Sequence, residues 1–161
     1  MGKLTCVLVA LLVLAGCGAG SEVPTVGSEP RLNEREQEVY EFVTLRVDEM
    51  QALVDDTMAI FDGELDLATV TAKMEPIATS YADLCDDYNA TLEGGYAGGR
   101  VARLEKLWER CGNNIRTADR AILDCYLDPD GVDTDEGAEA LVAAQRDVKL
   151  VREELAAIEG E

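Results

Sequence analysis

The chemistry open to this chain is set first by a residue type it lacks. Among 161 residues there is no histidine, against five cysteines and 33 aspartates and glutamates. Without imidazole there is no Ser-His-Asp or Cys-His nucleophile pair and no His-ligated zinc or haem. The carboxylate–histidine di-iron site of some helical bundles is excluded as well. A thiol also needs an activating base, and none is supplied. The expectation is a protein that is not an enzyme and carries no cofactor. An enzyme working through carboxylates only is the remaining catalytic alternative.

The carboxylates cluster most densely in "DPDGVDTDEGAE", residues 128–139. Against the spacing of an EF-hand calcium loop, Asp128, Asp130 and Glu139 fall at positions one, three and twelve. Val132 and Asp133 then stand at positions five and six, where an oxygen ligand and the turn glycine belong, so the motif fails. No metal site is predicted, although Asp128, Asp130 and Glu139 stay the candidates for a looser calcium site. The plainer reading is a proline stop followed by a helix cap at Asp133.

The net charge of −19 excludes nucleic acid as a partner, because no segment has the Lys/Arg density that neutralises phosphates. One element runs against this background. Arg100, Arg103, Lys106 and Arg110 lie along the start of the third predicted helix. They read either as intramolecular partners of the acidic second helix or as a docking stripe for an acidic envelope protein. Exposed pairs of the first kind contribute only about 0–1 kcal/mol each.

The amino-terminal residues have a different character. Met1-Gly2-Lys3 supplies a positive head, and Leu4 to Ala15 is uncharged and mostly apolar. As a helix, twelve residues span about 18 Å, well short of a ~30 Å hydrocarbon core but suited to a signal-peptide core. Leu14-Ala15-Gly16-Cys17 at its end resembles the lipobox of bacterial lipoproteins. That resemblance implies a diacylglyceryl thioether on Cys17, cleavage before it and acylation of the new amine. It implies a protein exported and lipid-anchored to the bacterial membrane, on its outer face or periplasmic side. Residues 1–16 are then the leader, and Gly/Ser/Pro-rich residues 17–32 a flexible tether.

From Asn33 to the end the pattern is helical, and these helices must position whatever the protein uses. Helices are expected at about 34–61, 67–92, 100–127 and 134–159. Asn33 with Glu36 reads as a capping box, Asp66 as the cap of the second helix and Asp133 with Glu136 as another box. Apolar stripes recur at three- and four-residue spacing: Tyr40, Val43, Val47, Met50, Val54 and Phe61 in the first, and Leu67 through Tyr88 in the second. Val101 through Cys125 and Leu141 through Ile158 complete the set. The glycines between 94 and 99 mark a hairpin loop. Four helices of roughly 40 Å with short links predict an all-α, antiparallel up-down-up-down four-helix bundle over residues 33–161. The monomer is favoured over long helical hairpins that form a dimeric bundle.

After removal of the leader with Cys6, and with Cys17 lipidated, three thiols remain in an oxidising compartment. Cys111 and Cys125 lie about 21 Å apart on one helix, beyond the ~7 Å that a disulfide spans. The hairpin brings Cys85 near the level of Cys111, so a Cys85–Cys111 disulfide is predicted and Cys125 is read as a buried thiol. The function expected is non-enzymatic binding or shielding at the cell envelope, through an envelope partner. The alternative is a lipoprotein binding a small ligand or metal, with an apolar slot near Pro76 and Tyr81.

Overall fold

The structure is a computed structural model, and it describes residues 31–63, 66–93, 95–127 and 134–160. Four helices account for nearly all of these: α1 Glu34–Phe61, α2 Leu67–Thr91, α3 Ala102–Leu127 and α4 Thr134–Glu159. A single 3-10 turn, Gly99–Val101, leads into α3. The leader, Cys17, residues 17–30 of the expected tether, Asp128, Asp130 and the cap at Asp133 lie outside the described residues, whereas Leu32, expected in the tether, packs against the core.

Local signals set the helix ends. The Asn33 side chain accepts from the Glu36 N–H at 3.0 Å, and Glu36 accepts in return from the Asn33 N–H at 2.7 Å. Asp66 caps α2 by accepting from the Thr69 N–H at 3.0 Å and its hydroxyl at 2.8 Å. Each such bond satisfies a first-turn donor that has no partner within the helix. Pro76 supplies no N–H to the turn before it, yet α2 runs through it without a break, with Pro76 on the exposed side. Gly112-Asn113-Asn114 likewise leaves α3 continuous.

The expected faces are buried, with a small rotation in α1. Val39, Leu53 and Ile60 join Val43, Val47, Met50 and Val54 inside, while Tyr40 and Phe61 are half-buried. Side-chain pairings give the topology. Arg103 meets Glu154 and Arg110 meets Asp147, so α3 and α4 are antiparallel. Tyr81 packs on Gly112 and Tyr88 near Trp108, which makes α2 and α3 antiparallel. Asp48–Arg152 and Met58–Gln145 do the same for α1 and α4. The four helices form an up-down-up-down bundle.

The bundle is not square. α3 and α4 are the most intimate pair, α1 touches every other helix, and α2 leans on α1 and meets α3 only thinly. Side-chain volume explains the difference. Between α3 and α4 lie Ala118, Ala121, Gly137, Ala140 and Ala144. A methyl at Gly137 would come within 2.6 Å of the Ala121 Cβ. Small residues let helix axes approach, whereas bulky ones hold them apart. Between α2 and α3 stand Tyr81, Tyr88 and Trp108.

The loop ahead of α3 is held by two buried carboxylates from different helices. Glu105 accepts from the N–H groups of Ala97 (2.8 Å) and Gly98 (3.1 Å). Glu36, its first oxygen used at the α1 cap, accepts with the second from the Arg100 N–H at 2.8 Å. The N–H groups of Asn33 and Arg100 keep the Glu36 carboxyl below the ordinary range despite its burial. Gly99 has φ +51°, and a Cβ there would sit 2.1 Å from Glu36 Oε1. Only glycine meets both conditions.

Candidate binding groove

The place where α2 stands off from α3 is a groove of about 550 Å³. Its walls are Tyr81, Cys85 and Tyr88 from α2 and Trp108 and Gly112 from α3, with Met50 of α1 as the floor. The helical repeat explains the lining, since 81, 85 and 88 share one face of α2 and 108 and 112 one face of α3. Gly112 lets the Tyr81 ring close one end, because a Cβ there would stand 3.3 Å from the Tyr81 hydroxyl. At the other end Phe42 packs edge-on against Trp108 at 5.7 Å and tilted against Tyr88 at 5.5 Å; Tyr88 and Trp108 are 6.1 Å apart. These separations lie in the favourable range for aromatic pairs.

Burial dominates the electrostatics of the walls. The Tyr81 and Tyr88 hydroxyls are both pushed well above the ordinary tyrosine range, so both stay protonated. Tyr88 is only 5% exposed, and its hydroxyl oxygen has no hydrogen-bond partner. A buried polar atom without a partner costs about 1–3 kcal/mol. Polar groups form the rim: Asp86 and Asn89 on one side, Glu109, Asn113 and Arg116 on the other. The Arg116 guanidinium donates to Asn113 Oδ1 at 3.0 Å. Tyr96, 66% exposed, forms a lip, its hydroxyl pKa raised through a hydrogen bond to Glu109.

A second cavity of about 400 Å³ lies between α1 and α2, lined by Leu53, Ile60, Lys73, Pro76 and Ile77. The slot expected near Pro76 and Tyr81 is therefore two cavities, with one of these residues in each.

The thiols correct the sequence reading. Cys85 and Cys111 are not joined; Cys85, Cys111 and Cys125 are all free. The expected level was right, since Tyr81 pairs with Gly112 and Tyr88 with Trp108 on either side. The direction was wrong. Cys111 points to α4, where its Sγ donates to the Ala144 carbonyl at 3.6 Å. Gly112, one residue on and about 100° around the helix, is the residue that faces α2. Burial, reinforced by the Asp147 charge, pushes the Cys111 thiol up to about 12. Cys125 is half-buried instead of fully enclosed.

The basic stripe is also placed differently. Arg110 grips Asp147, which is 0% exposed, through Nε at 2.8 Å and Nη2 at 2.5 Å, and Asn114 adds a bond at 3.1 Å. Arg103 pairs with Glu154 at 3.0 Å. These partners belong to α4, not to the acidic α2, because α4 is the helix that packs closely on α3. Lys106 stays exposed, and the Arg100 backbone N–H serves Glu36. Glu139 is an exposed residue of α4, and among the described residues no group of three or more carboxylates or thiols is arranged to hold a metal.

Asp119 carries a perturbation that periodicity gave no reason to single out. Burial raises its carboxyl to about 6, against the stabilising bond it accepts from Thr57 at 3.2 Å. Its partner hydroxyl is the one polar interruption of the α1 stripe, and that was the available signal. The groove aromatics had a signal too, the 81/85/88 spacing, but it reads equally well as core. No described helix is long and apolar enough to cross a membrane. Compared with known proteins, the chain matches no family model, no curated protein and no solved structure.

Proposed function

We propose that this chain is an exported, lipid-anchored helical-bundle protein with a non-enzymatic binding role at the cell envelope. Binding takes place in the groove between α2 and α3. The observation that carries the reading is the groove itself: an apolar, aromatic-walled space of about 550 Å³ with a few polar groups converging on its rim. Small-molecule sites have this size and composition, and they occur between helices of bundles. The anchoring part rests on the leader and on Leu14-Ala15-Gly16-Cys17. Two or three acyl chains hold a protein stably at a membrane where one does not. The acidic bundle is repelled by anionic head groups, so the tether lets it stand off the surface.

Two measurements test the two parts. Cys17→Ala should abolish labelling by radioactive palmitate, leave the precursor unprocessed and change the membrane fractionation of the protein. Normal maturation and unchanged membrane attachment would refute the anchor. For the groove, a thermal-shift screen of small metabolites against the purified protein should return ligands whose stabilisation is lost in Tyr81→Ala. A hit insensitive to that change places binding elsewhere, and a silent screen counts against a ligand site.

A further inference from the structure

The chain holds one tryptophan, five tyrosines and two phenylalanines, and four of these eight aromatics line the α2–α3 groove: Tyr81, Tyr88, Tyr96 and Trp108. Half of the chain's aromatic residues are thus gathered at one groove. Aromatic faces present negative quadrupole density, which attracts cations and repels anions. The rim adds charge of the same sense. Asp86 and Glu109 stand at the groove against the single Arg116, whose guanidinium is engaged with Asn113. The protein as a whole carries −19, so any cation is concentrated at its surface.

From this combination we infer that the groove binds organic monocations, amines with an apolar or aromatic body. The apolar body lies between Tyr81, Met50 and Gly112. The ammonium is placed toward the Tyr88 and Trp108 rings and the Glu109 carboxylate. The inference rests on the reading of this groove as a ligand site and goes further by naming the class of ligand.

Trp108 is the only tryptophan and a wall of the groove, so its fluorescence reports occupancy directly. The full protein is titrated with three probes of matched shape: 2-phenylethylammonium, neutral 2-phenylethanol and anionic 3-phenylpropanoate. Saturable change in Trp108 emission with the ammonium, about tenfold tighter than with the alcohol and weakened by salt, is the expected result. The variant E109Q/D86N, its fold checked by circular dichroism, should lose most of that preference, so that its ratio of ammonium to alcohol affinity falls toward one. Equal affinity for the alcohol and the ammonium overturns the cation class and leaves the groove as a neutral ligand site. Tighter binding of the propanoate overturns it in favour of Arg116. A preference that survives in E109Q/D86N removes the rim carboxylates as its cause and overturns the inference as stated. No saturable response to any probe at millimolar concentration overturns both the inference and the ligand site beneath it.

Discussion

Asp119 offers the sharpest test of the interior electrostatics. Its carboxyl sits between α3 and α1 with one hydrogen bond, from Thr57, and its pKa is raised from 3.8 to about 6 by burial. Tyr81 of α2 and Arg116 one turn back on α3 are close enough to interact electrostatically around the same site. A folded-state pKa above the unfolded one means that the native protein binds this proton more tightly. In the window between about 4 and 6 the folded state therefore holds more protons, and stability falls as pH rises. At about 1.4 kcal/mol per tenfold change in proton affinity, the complete loss is about 3 kcal/mol, fully developed above pH 6. Asp119→Asn removes the titration but keeps an oxygen for the Thr57 hydroxyl, so the variant should be more stable than the parent at pH 7.5. At pH 4 the two should be nearly equal. Urea unfolding of both proteins at several pH values between 4 and 7.5 measures the difference. High salt screens the background of the −19 net charge, which changes with pH in the same direction. If the difference between the two proteins is flat with pH, or if Asn destabilises at pH 7.5, the burial argument for Asp119 fails.

Other perturbations probe the rest of the frame. Arg110→Met leaves the buried Asp147 with Asn114 at 3.1 Å and the more distant Arg146 guanidinium at 3.9 Å, and should cost about 3 kcal/mol in urea unfolding. The double variant Arg110→Met/Asp147→Leu should recover most of that loss, because it removes the stranded charge. Gly99→Ala imposes a Cβ at positive φ against Glu36 Oε1, and should lower stability by about 2–3 kcal/mol. Alkylation with iodoacetamide, followed by mass spectrometry of the native protein, should modify Cys85 and Cys125 long before Cys111. Equal labelling of Cys111 would contradict its enclosure against α4.

Much of the architecture was legible because it is written in short-range patterns. The stripe Val70, Met74, Ile77, Tyr81, Leu84, Tyr88 shows a helix without reference to any other residue, as 3.6-residue periodicity does. The Asn33/Glu36 box works within one turn and forms as its spacing predicts. The loop glycines at 95, 98 and 99 take the positive φ that other residues resist. The same stripes could not distinguish Tyr81 as core from Tyr81 as a groove wall. Both roles need an apolar face, and only the distance to the neighbouring helix separates them. Nor could they separate Thr57 as a flaw in the α1 stripe from Thr57 as the donor to Asp119.

The sequence by itself determined where the helices run, which face of each turns inward, and that imidazole chemistry is closed to this protein. The tertiary structure decided which neighbour each inward residue meets. Ala118, Gly137 and Ala144 draw α3 against α4, so Arg110 finds Asp147 and Cys111 finds the Ala144 carbonyl. Tyr81, Tyr88 and Trp108 keep α3 away from α2, so a groove opens where a disulfide was expected. Periodicity sets rotation about a helix axis to within a residue, but one residue is about 100°, enough to carry a thiol from one neighbour to another. Spacing between helices depends on side-chain volumes from segments far apart in the chain, which no local pattern records.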